Sequence, residues 1–336
     1  MYESFYRLTG KPFQLTPDPT FFYGSRGHRR AFMYLQYGLY QSEGFIVLTG
    51  DIGAGKTTIV RNLMTQLDQR RIVAAQLVST QLDAESLLQA VAVAFGLNFK
   101  EREKARLIAE LEAFLVSLAA KGKRAVLIVD EAQNLSSAAI EELRMLSNFQ
   151  FENKALLQSF LVGQPELRVL MRSNEMLQLR QRVISSYHLG PLDSEETKAY
   201  IEHRLRHVGW NLDPRFEPEA YDLIHSYTGG VPRKINTLCN RLMLAGYLSE
   251  KHLFGTNFIE EAIQEIEEEI GSESVQPAPA PHAPPVVVEP ADILRLERRL
   301  ARIEKAMGTV VHYLKNSASA TASSADKNTN NTASGT

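Results

Sequence analysis

Eight consecutive residues have the types and spacing of a phosphate-binding loop. Residues 50–57 read Gly-Asp-Ile-Gly-Ala-Gly-Lys-Thr, which matches the pattern G-x-x-x-x-G-K-S/T. Glycines in such a loop let successive backbone N–H groups converge on phosphate oxygens, and the next helix turns its positive N-terminus toward them. The lysine would reach the terminal phosphates, and the threonine hydroxyl would hold Mg²⁺. The predicted binding residues are Gly50, Asp51, Ile52, Gly53, Ala54, Gly55, Lys56, Thr57 and Thr58.

The segments on either side of this loop support the motif. Residues 45–49 form an apolar and β-branched run, which predicts a buried strand. Residues 58–67 carry Ile59, Leu63 and Leu67 at helical spacing. Because a strand before and a helix after are the context that the motif requires, a simple glycine-rich turn is the weaker interpretation. The sequence therefore predicts a nucleotide ligand.

Two carboxylates end a second apolar run. Residues 125–131 read Ala-Val-Leu-Ile-Val-Asp-Glu, which predicts a buried central strand that delivers acids to the carboxyl edge of a sheet. Asp130 would hold Mg²⁺ through its water shell, and Glu131 would accept a proton from an attacking water. The alternative is that the two acids cap the next helix. The phosphate loop and the intervening predicted strand at residues 72–79 favour catalysis.

Two further polar residues stand where a γ-phosphate could be sensed. Gln164 follows the apolar run 158–162 and could hydrogen-bond both water and phosphate, with capping of the next helix as its alternative role. Arg233 stands at a helix start after a glycine pair, where its charge opposes the helix dipole. An anionic partner would explain that position, so we expect Arg233 to reach the γ-phosphate.

Two arginines precede the last predicted strand. Arg180 and Arg182 lie in Leu-Arg-Gln-Arg-Val, residues 179–183. Either could project into a neighbouring subunit as an arginine finger, a contact worth several orders of magnitude in rate where it operates. Surface ion pairs are the alternative for each. We expect at least one of the two to act as a finger.

The order of elements predicts the fold class. Apolar β-rich runs alternate with helical patterns up to residue 189, which is typical of an α/β domain with a parallel sheet and helices on both faces. Only helical patterns follow Pro191. The five predicted strands are residues 45–49, 72–79, 125–130, 157–162 and 185–189.

The chain divides into five predicted parts. Six prolines between residues 277 and 290 indicate an extended linker, and a heptad pattern from Ile293 to Leu314 follows it. That helix could form a coiled coil or dock on the protein's own body. The predicted parts are an α/β core at 1–190, a helical lid at 191–270, the linker at 271–291, an amphipathic or coiled-coil helix at 292–315 and a disordered tail at 316–336.

Composition narrows the function classes. The formal net charge of −2 provides no overall basic field for nucleic acid or anionic membrane, although local arginine clusters could still serve one. Cys239 is the only cysteine, which excludes an intrachain disulfide and favours a reducing compartment. Neither a signal peptide nor a membrane-length apolar run is recognisable. We expect a cytoplasmic protein that reaches the inner membrane only through partners.

Taken in order, the motifs resemble those of the ExeA/GspA-type AAA+ ATPases. The matching segments are Gly-Asp-Ile-Gly-Ala-Gly-Lys-Thr, Val-Asp-Glu-Ala-Gln, Leu-Val-Gly-Gln-Pro-Glu-Leu and Thr-Gly-Gly-Val-Pro-Arg. The opening segment, with Pro12-Phe13, Thr16-Pro-Asp-Pro19, Phe21-Phe-Tyr-Gly-Ser25 and His28, is also similar. The resemblance covers roughly residues 1–270 and is strongest to the secretion ATPase of exosortase (PEP-CTERM) exopolysaccharide loci.

The resemblance implies a fold, ligands and an assembly. It implies an AAA+ fold with ATP and Mg²⁺ between core and lid, with Gln164 as sensor 1 and Arg233 as sensor 2. It also implies ring-like or nucleotide-dependent homo-oligomers, and residues 23–28 lying toward the adenine. General secretion pathway members continue into a transmembrane segment and a peptidoglycan-binding domain. This sequence continues into the proline-rich linker, so cell-wall binding is not carried over.

We expect an Mg²⁺-dependent ATPase that energises or regulates an envelope export or polysaccharide-assembly system and has a protein of that system as partner. One alternative is a DNA-associated AAA+ regulator of the transposition-helper type. The near-neutral charge and the lack of a recognisable helix-turn-helix argue against it. A second alternative is an ATP-dependent switch or scaffold with little turnover.

Overall fold

Five parallel strands form the centre of the fold in a computed structural model, which describes residues 1–16, 18–78, 82–97 and 103–273. All five predicted strands are present, with ends that differ from the predicted ones by at most two residues. Their order in the sheet is β2-β3-β4-β1-β5. The strands are β1 Phe45–Gly50, β2 Ile72–Val78, β3 Arg124–Asp130, β4 Leu157–Gly163 and β5 Val183–Leu189.

Helices cover both faces of this sheet, which confirms the α/β prediction. Along β1, Phe45 and Val47 pack into one apolar cluster, whereas Ile46 and Leu48 pack into a second cluster on the other face. Successive strand residues point to opposite faces, so a strand that is apolar throughout must be covered on both sides. The helices before the last strand are α1 Tyr2–Phe5, α2 Arg26–Gln41, α3 Lys56–Thr65, α4 Ala84–Ala94, α5 Lys104–Ala120, α6 Ser137–Leu146, α7 Pro165–Arg172 and α8 Leu177–Arg180.

The region after β5 is mainly helical, as its sequence predicts. Short pairing between residues 215–216 and 253–254 is its only strand structure within the described residues. Its buried cluster includes Cys239, and burial raises the pKa of that thiol. The helices are α9 Ser194–His207, α10 Pro218–Thr228, α11 Pro232–Leu248 and α12 Thr256–Glu273.

The N-terminal residues pack with this helical region and not with the sheet. Tyr2, Tyr6, Leu8 and Phe13 are all buried in the same cluster as α9–α12. The Tyr6 hydroxyl donates a 2.9 Å hydrogen bond to the carbonyl oxygen of Lys251, so the chain start is tied to the far end of α11. The sequence-based division assigned residues 1–190 to one core. It did not predict that the N-terminal residues pack with the helical region.

The structure groups Met1–Ser272 as one compact unit. The predicted heptad helix and polar tail, and the linker from residue 274 onward, lie outside the described residues, so those assignments stay predictions. None of the helices in the described part of the chain is long and apolar enough to cross a membrane.

The burial of Tyr6 leads to a stability prediction. Tyr6 is 2% exposed, and its ring makes edge-to-face contact with Phe254. Tyr6→Ala should reduce the free energy of unfolding by about 3 kcal/mol or more, because it leaves a cavity. Tyr6→Phe should cost about 1 kcal/mol, because only the hydrogen bond is lost.

Urea denaturation measures both changes, with Tyr40→Ala as the matched control. Tyr40 is 83% exposed, so its replacement should change stability by less than about 0.5 kcal/mol. Equal effects of Tyr6→Ala and Tyr40→Ala would contradict the assignment of the N-terminal residues to the helical core.

Candidate nucleotide-binding site

The predicted phosphate loop borders a cavity of about 350 Å³. The loop forms one wall, the N-terminal segment a second, and helices α9 and α11 a third. The lining residues include Gln14, Phe21, Phe22, Tyr23, His28, Ile52, Gly53, Gly55, Lys56, Thr57, Thr58, Glu131, Tyr200, Arg204, Arg233 and Asn236.

Two glycines of the loop are required by their neighbours as well as by their backbone conformation. Gly53 and Gly55 have φ of 83° and 99°, in the region that favours glycine. A Cβ atom at position 53 would lie 2.3 Å from Cβ of Arg233, and one at position 55 would lie 2.6 Å from Nε2 of His28. The loop is therefore clamped between α11 and α2, a contact that the motif alone does not predict.

Lys56 lies across the loop. Its Nζ donates hydrogen bonds of 2.7 Å to the Gly50 carbonyl and 2.9 Å to the Asp51 carbonyl. Burial lowers the pKa of this ammonium, although the negative charges of Glu131 and Asp130 act to raise it. The Lys56 ammonium is thus held at the loop, where it could contact a terminal phosphate.

Thr57 and Asp130 meet at the ends of their elements, and their oxygens suit a magnesium ion. The Thr57 hydroxyl donates a 3.0 Å hydrogen bond to Oδ2 of Asp130. Burial raises the pKa of Asp130, whereas the hydrogen bonds from Thr57 and the Glu131 N–H act in the opposite direction. The described residues contain no cluster of three His, Cys, Asp or Glu side chains able to hold a metal. A cation here would complete its shell with phosphate oxygens and water, as Mg²⁺ commonly does.

Glu131 is held by two amide side chains. Its backbone adopts the left-handed conformation with φ of 54°, which is uncommon for a non-glycine residue. Its Oε2 accepts hydrogen bonds from Nε2 of Gln133 at 2.6 Å and from Nε2 of Gln164 at 3.1 Å. Burial favours the protonated form, but these bonds and the charge of Lys56 together lower the pKa of Glu131.

Gln164 occupies the N-cap position of α7, but its side chain makes no capping hydrogen bond. The amide instead contacts the carboxylate of Glu131. The alternative role considered from the sequence, capping of the next helix, is therefore not the one that the side chain performs. Gln164 joins the cluster of polar groups beside the loop.

Arg233 lies in the first turn of α11 and directly against the loop. Its backbone N–H donates a 3.2 Å hydrogen bond to the Gly53 carbonyl. The side chain is exposed to the cavity, and among the described residues its guanidinium has no hydrogen-bond or ion-pair partner. The cation is consequently available to an anion in the cavity.

Arg180 and Arg182 are not brought to the cavity of their own chain. The Arg182 carbonyl accepts a hydrogen bond from the Phe45 N–H at the start of β1. The phosphate loop follows the other end of that strand, about 17 Å away. The Arg182 guanidinium donates to the Ser147 hydroxyl at 2.9 Å. The Arg180 guanidinium donates to the carbonyl of Arg172 at 3.2 Å. Either arginine could serve only the site of another subunit.

Sequence reasoning missed the buried arginine that holds the N-terminal wall. Arg204 is 6% exposed, and its Nε donates a 2.5 Å hydrogen bond to the Pro12 carbonyl. The guanidinium also lies 4.7 Å from the centre of the Phe21 ring and donates to the Tyr200 hydroxyl. The one available signal was an arginine four residues after Tyr200 on the apolar face of α9.

His28 supports the loop from the side of α2. Its Nδ1 lies 2.7 Å from the Ser25 hydroxyl, and its ring makes a hydrogen bond with the Ala54 backbone. Burial lowers the pKa of His28 to about 4, only partly offset by the charge of Glu196 on α9. The imidazole is therefore neutral at pH 7.

The sheet order, the loop and the helical region give this chain the P-loop AAA+ fold. A family model described as an AAA domain matches residues 39–171, which begin before β1 and end within α7. The chain is 39% identical over 254 residues to the general secretion pathway protein A of Aeromonas hydrophila, which supports the ExeA/GspA-type resemblance. That match covers 75% of this chain and 46% of the relative, so the chain spans less than half of the relative's length.

Solved structures support the fold assignment. The ORC1 protein of Aeropyrum pernix, solved in complex with DNA, has a TM-score of 0.58 at 16% identity, covering 78% of this chain and 71% of that one. The ORC2 protein of the same organism, solved in ADPNP–ADP complexes, has a TM-score of 0.54 at 17% identity, covering 71% and 66%. At these identities the likeness concerns the fold alone.

The environment of His28 leads to a pH prediction. Because its pKa is lower in the folded chain than the ordinary 6.5, the neutral ring stabilises the fold above pH 6.5, and this contribution is lost as the pH falls toward 4. Between pH 7 and pH 5 we expect His28 to contribute a loss of about 2 kcal/mol in the free energy of unfolding.

Urea denaturation at the two pH values measures this loss in the nucleotide-free protein. His28→Gln should reduce the difference by about 2 kcal/mol, whereas replacement of the exposed His207 by Gln should preserve it. An unchanged pH dependence in His28→Gln would show that other groups cause it.

Proposed function

We propose that this chain binds ATP with Mg²⁺ and hydrolyses it to ADP and phosphate. The observation that carries the proposal is the convergence of the loop, the Thr57–Asp130 pair, Glu131 and Arg233 around one cavity. Phosphoryl transfer needs a phosphate cradle, a cation, a proton acceptor for water and compensation of negative charge. Each requirement has a candidate residue in this cluster.

The loop and Lys56 would bind the phosphates. Backbone N–H groups at the start of α3 offer donors to the β-phosphate, and the Lys56 ammonium would exchange its two carbonyl partners for phosphate oxygens. Thr57 would ligate Mg²⁺ directly, and Asp130 would do so through water. When bound, Mg²⁺ would neutralise charge on the β- and γ-phosphate oxygens.

Glu131 would accept the proton of the attacking water. The water oxygen forms a bond to the γ-phosphorus while the bond from that phosphorus to the β–γ bridging oxygen breaks. The proton passes to the Glu131 carboxylate, and ADP and inorganic phosphate leave. The lowered pKa of Glu131 keeps it ionised at neutral pH, and the carboxylate is the form that can accept a proton. Gln164 and Arg233 would contact the γ-phosphate.

The N-terminal segment would cover the adenine. Phe21, Phe22 and Tyr23 line the cavity, and Arg204 holds the backbone at Pro12 and Gln14. Aromatic faces suit a purine ring. Tyr23 belongs to the segment 23–28 for which the family resemblance implies a place toward the adenine.

The wider role we propose is that of an ATPase that energises or regulates envelope export, in particular of exopolysaccharide, at the cytoplasmic side of the inner membrane. Similarity to a protein named for the general secretion pathway supports a secretion partner. An exosortase or glycosyltransferase gene neighbourhood would strengthen the pathway assignment. Duplex-DNA binding that weakens steeply with salt would favour a DNA-associated regulator.

Turnover of two variants tests the proposed chemistry. Lys56→Ala should weaken ATP binding at least about tenfold, because it removes the phosphate-binding ammonium. Glu131→Gln should retain binding but lower kcat by about 10²- to 10⁴-fold, because the proton acceptor is lost. Phosphate release and equilibrium binding of a fluorescent ATP analogue provide the measurements.

Matched controls are the exposed Lys121→Ala and Glu112→Gln, which should behave as wild type. Wild-type turnover in Glu131→Gln would refute the assignment of the base. Absence of turnover in the wild type, with ATP bound, would favour the switch or scaffold.

We further propose that subunits associate around ATP and that Arg182 acts in the neighbouring site. Arg182→Ala should remove the part of turnover that rises with protein concentration, by up to about 10³-fold, because an arginine finger compensates charge only in an assembled pair. Arg180→Ala provides the matched variant. Turnover measured beside sedimentation at each concentration checks this, and an equal defect in dissociated subunits would contradict it.

A further inference from the structure

Gln133 connects the two residues that flank the reacting water in the proposed mechanism. Its Nε2 donates a 2.6 Å hydrogen bond to Oε2 of Glu131. Its Oε1 accepts a 3.0 Å hydrogen bond from the backbone N–H of Gln164. One side-chain amide thus joins the end of β3 to the start of α7, and both of its functional groups are used.

The contact is closed by a third hydrogen bond. Nε2 of Gln164 donates to the same Oε2 of Glu131 at 3.1 Å, so Glu131, Gln133 and Gln164 form a ring of mutual contacts. Because the amide of Gln133 meets the Gln164 backbone, it sets the position from which the Gln164 side chain extends. A side chain of another length could not hold both ends at once.

The backbone around Gln133 is shaped to admit this amide. Residues 132–134 form a short 3-10 helix with Glu131 at its N-cap, and the left-handed φ of 54° at Glu131 turns the chain directly after β3. Opposite it stands Gly163, where a Cβ atom would lie 2.7 Å from Oε1 of Gln133. Glycine at position 163 therefore leaves the space that the Gln133 side chain occupies.

We propose that Gln133 is a positioning residue for ATP hydrolysis, which orients the Glu131 carboxylate and aligns Gln164 beside it. This inference rests on the proposed function. Gln133 acts through these two neighbours and not on phosphate, since the donor and the acceptor of its amide are both engaged by Glu131 and Gln164. Loss of Gln133 should therefore lower the rate of hydrolysis and leave nucleotide affinity unchanged.

Three variants test the two hydrogen bonds of the Gln133 amide, to Glu131 and to the Gln164 N–H. Gln133→Ala removes both, and kcat should fall about tenfold or more while the ATP dissociation constant stays within about threefold. Gln133→Glu keeps an acceptor for the Gln164 N–H but places a carboxylate against Glu131, so its kcat should fall further. Gln133→Asn is too short to span both partners and should resemble Gln133→Ala. The exposed Gln178→Ala is the matched control.

A double-mutant cycle distinguishes positioning from general loss of structure. If Gln133 acts through Glu131 and Gln164, adding Gln133→Ala to the combined variant Glu131→Gln, Gln164→Ala should change single-turnover hydrolysis by less than about twofold, because both positioned groups are already absent. A purely structural role would reduce the rate by the same factor in both backgrounds and would also weaken ATP binding.

The outcomes distinguish the role of Gln133 from the proposed ATPase function on which it rests. An active wild type with unchanged kcat in Gln133→Ala overturns only the role of Gln133. Additive effects in the cycle also overturn it, because positioning through Glu131 and Gln164 requires non-additivity. A wild type that binds ATP without hydrolysing it overturns the proposed ATPase function and this role together.

Discussion

The parallel register of the central sheet is the constraint on which the candidate site depends. β3 and β4 are neighbours, and β4 pairs with β1, with every pair parallel. Parallel strands present their carboxyl ends at one edge, so the loop after Gly50, the acids at residues 130–131 and Gln164 converge without any being near in sequence. The Thr57–Asp130 hydrogen bond is the direct product of this register.

Close packing then fixes the loop against two helices from different parts of the chain. Gly53 touches α11 at Arg233, and Gly55 touches α2 at His28. The backbone bond from Arg233 to Gly53 makes the first turn of α11 part of the loop's support. A shift of the helical region would therefore displace the Arg233 cation and the loop together, which couples the two halves of the site physically.

The cavity wall opposite the loop belongs to the chain's first residues, held by a buried cation. Arg204 donates hydrogen bonds to neutral oxygens and lies against aromatic rings, and it ties the carbonyl of Pro12 to α9. Such a group is stable when its donors are satisfied, because an unpaired buried charge is costly. The same guanidinium that completes the helical core thereby positions the segment beside the predicted adenine.

The sequence by itself determined the sheet, the loop and the acidic strand end, because each is a local pattern of apolar period, glycine spacing and charge. Boundaries of all five strands were predicted within two residues. Only the tertiary structure decided what depends on contacts between distant segments. These are the hydrogen bond from the Gln133 amide to Glu131, the packing of the N-terminus with the helices, and the separation of Arg180 and Arg182 from their own chain's cavity. Residues that meet across the fold leave no period or spacing in the sequence.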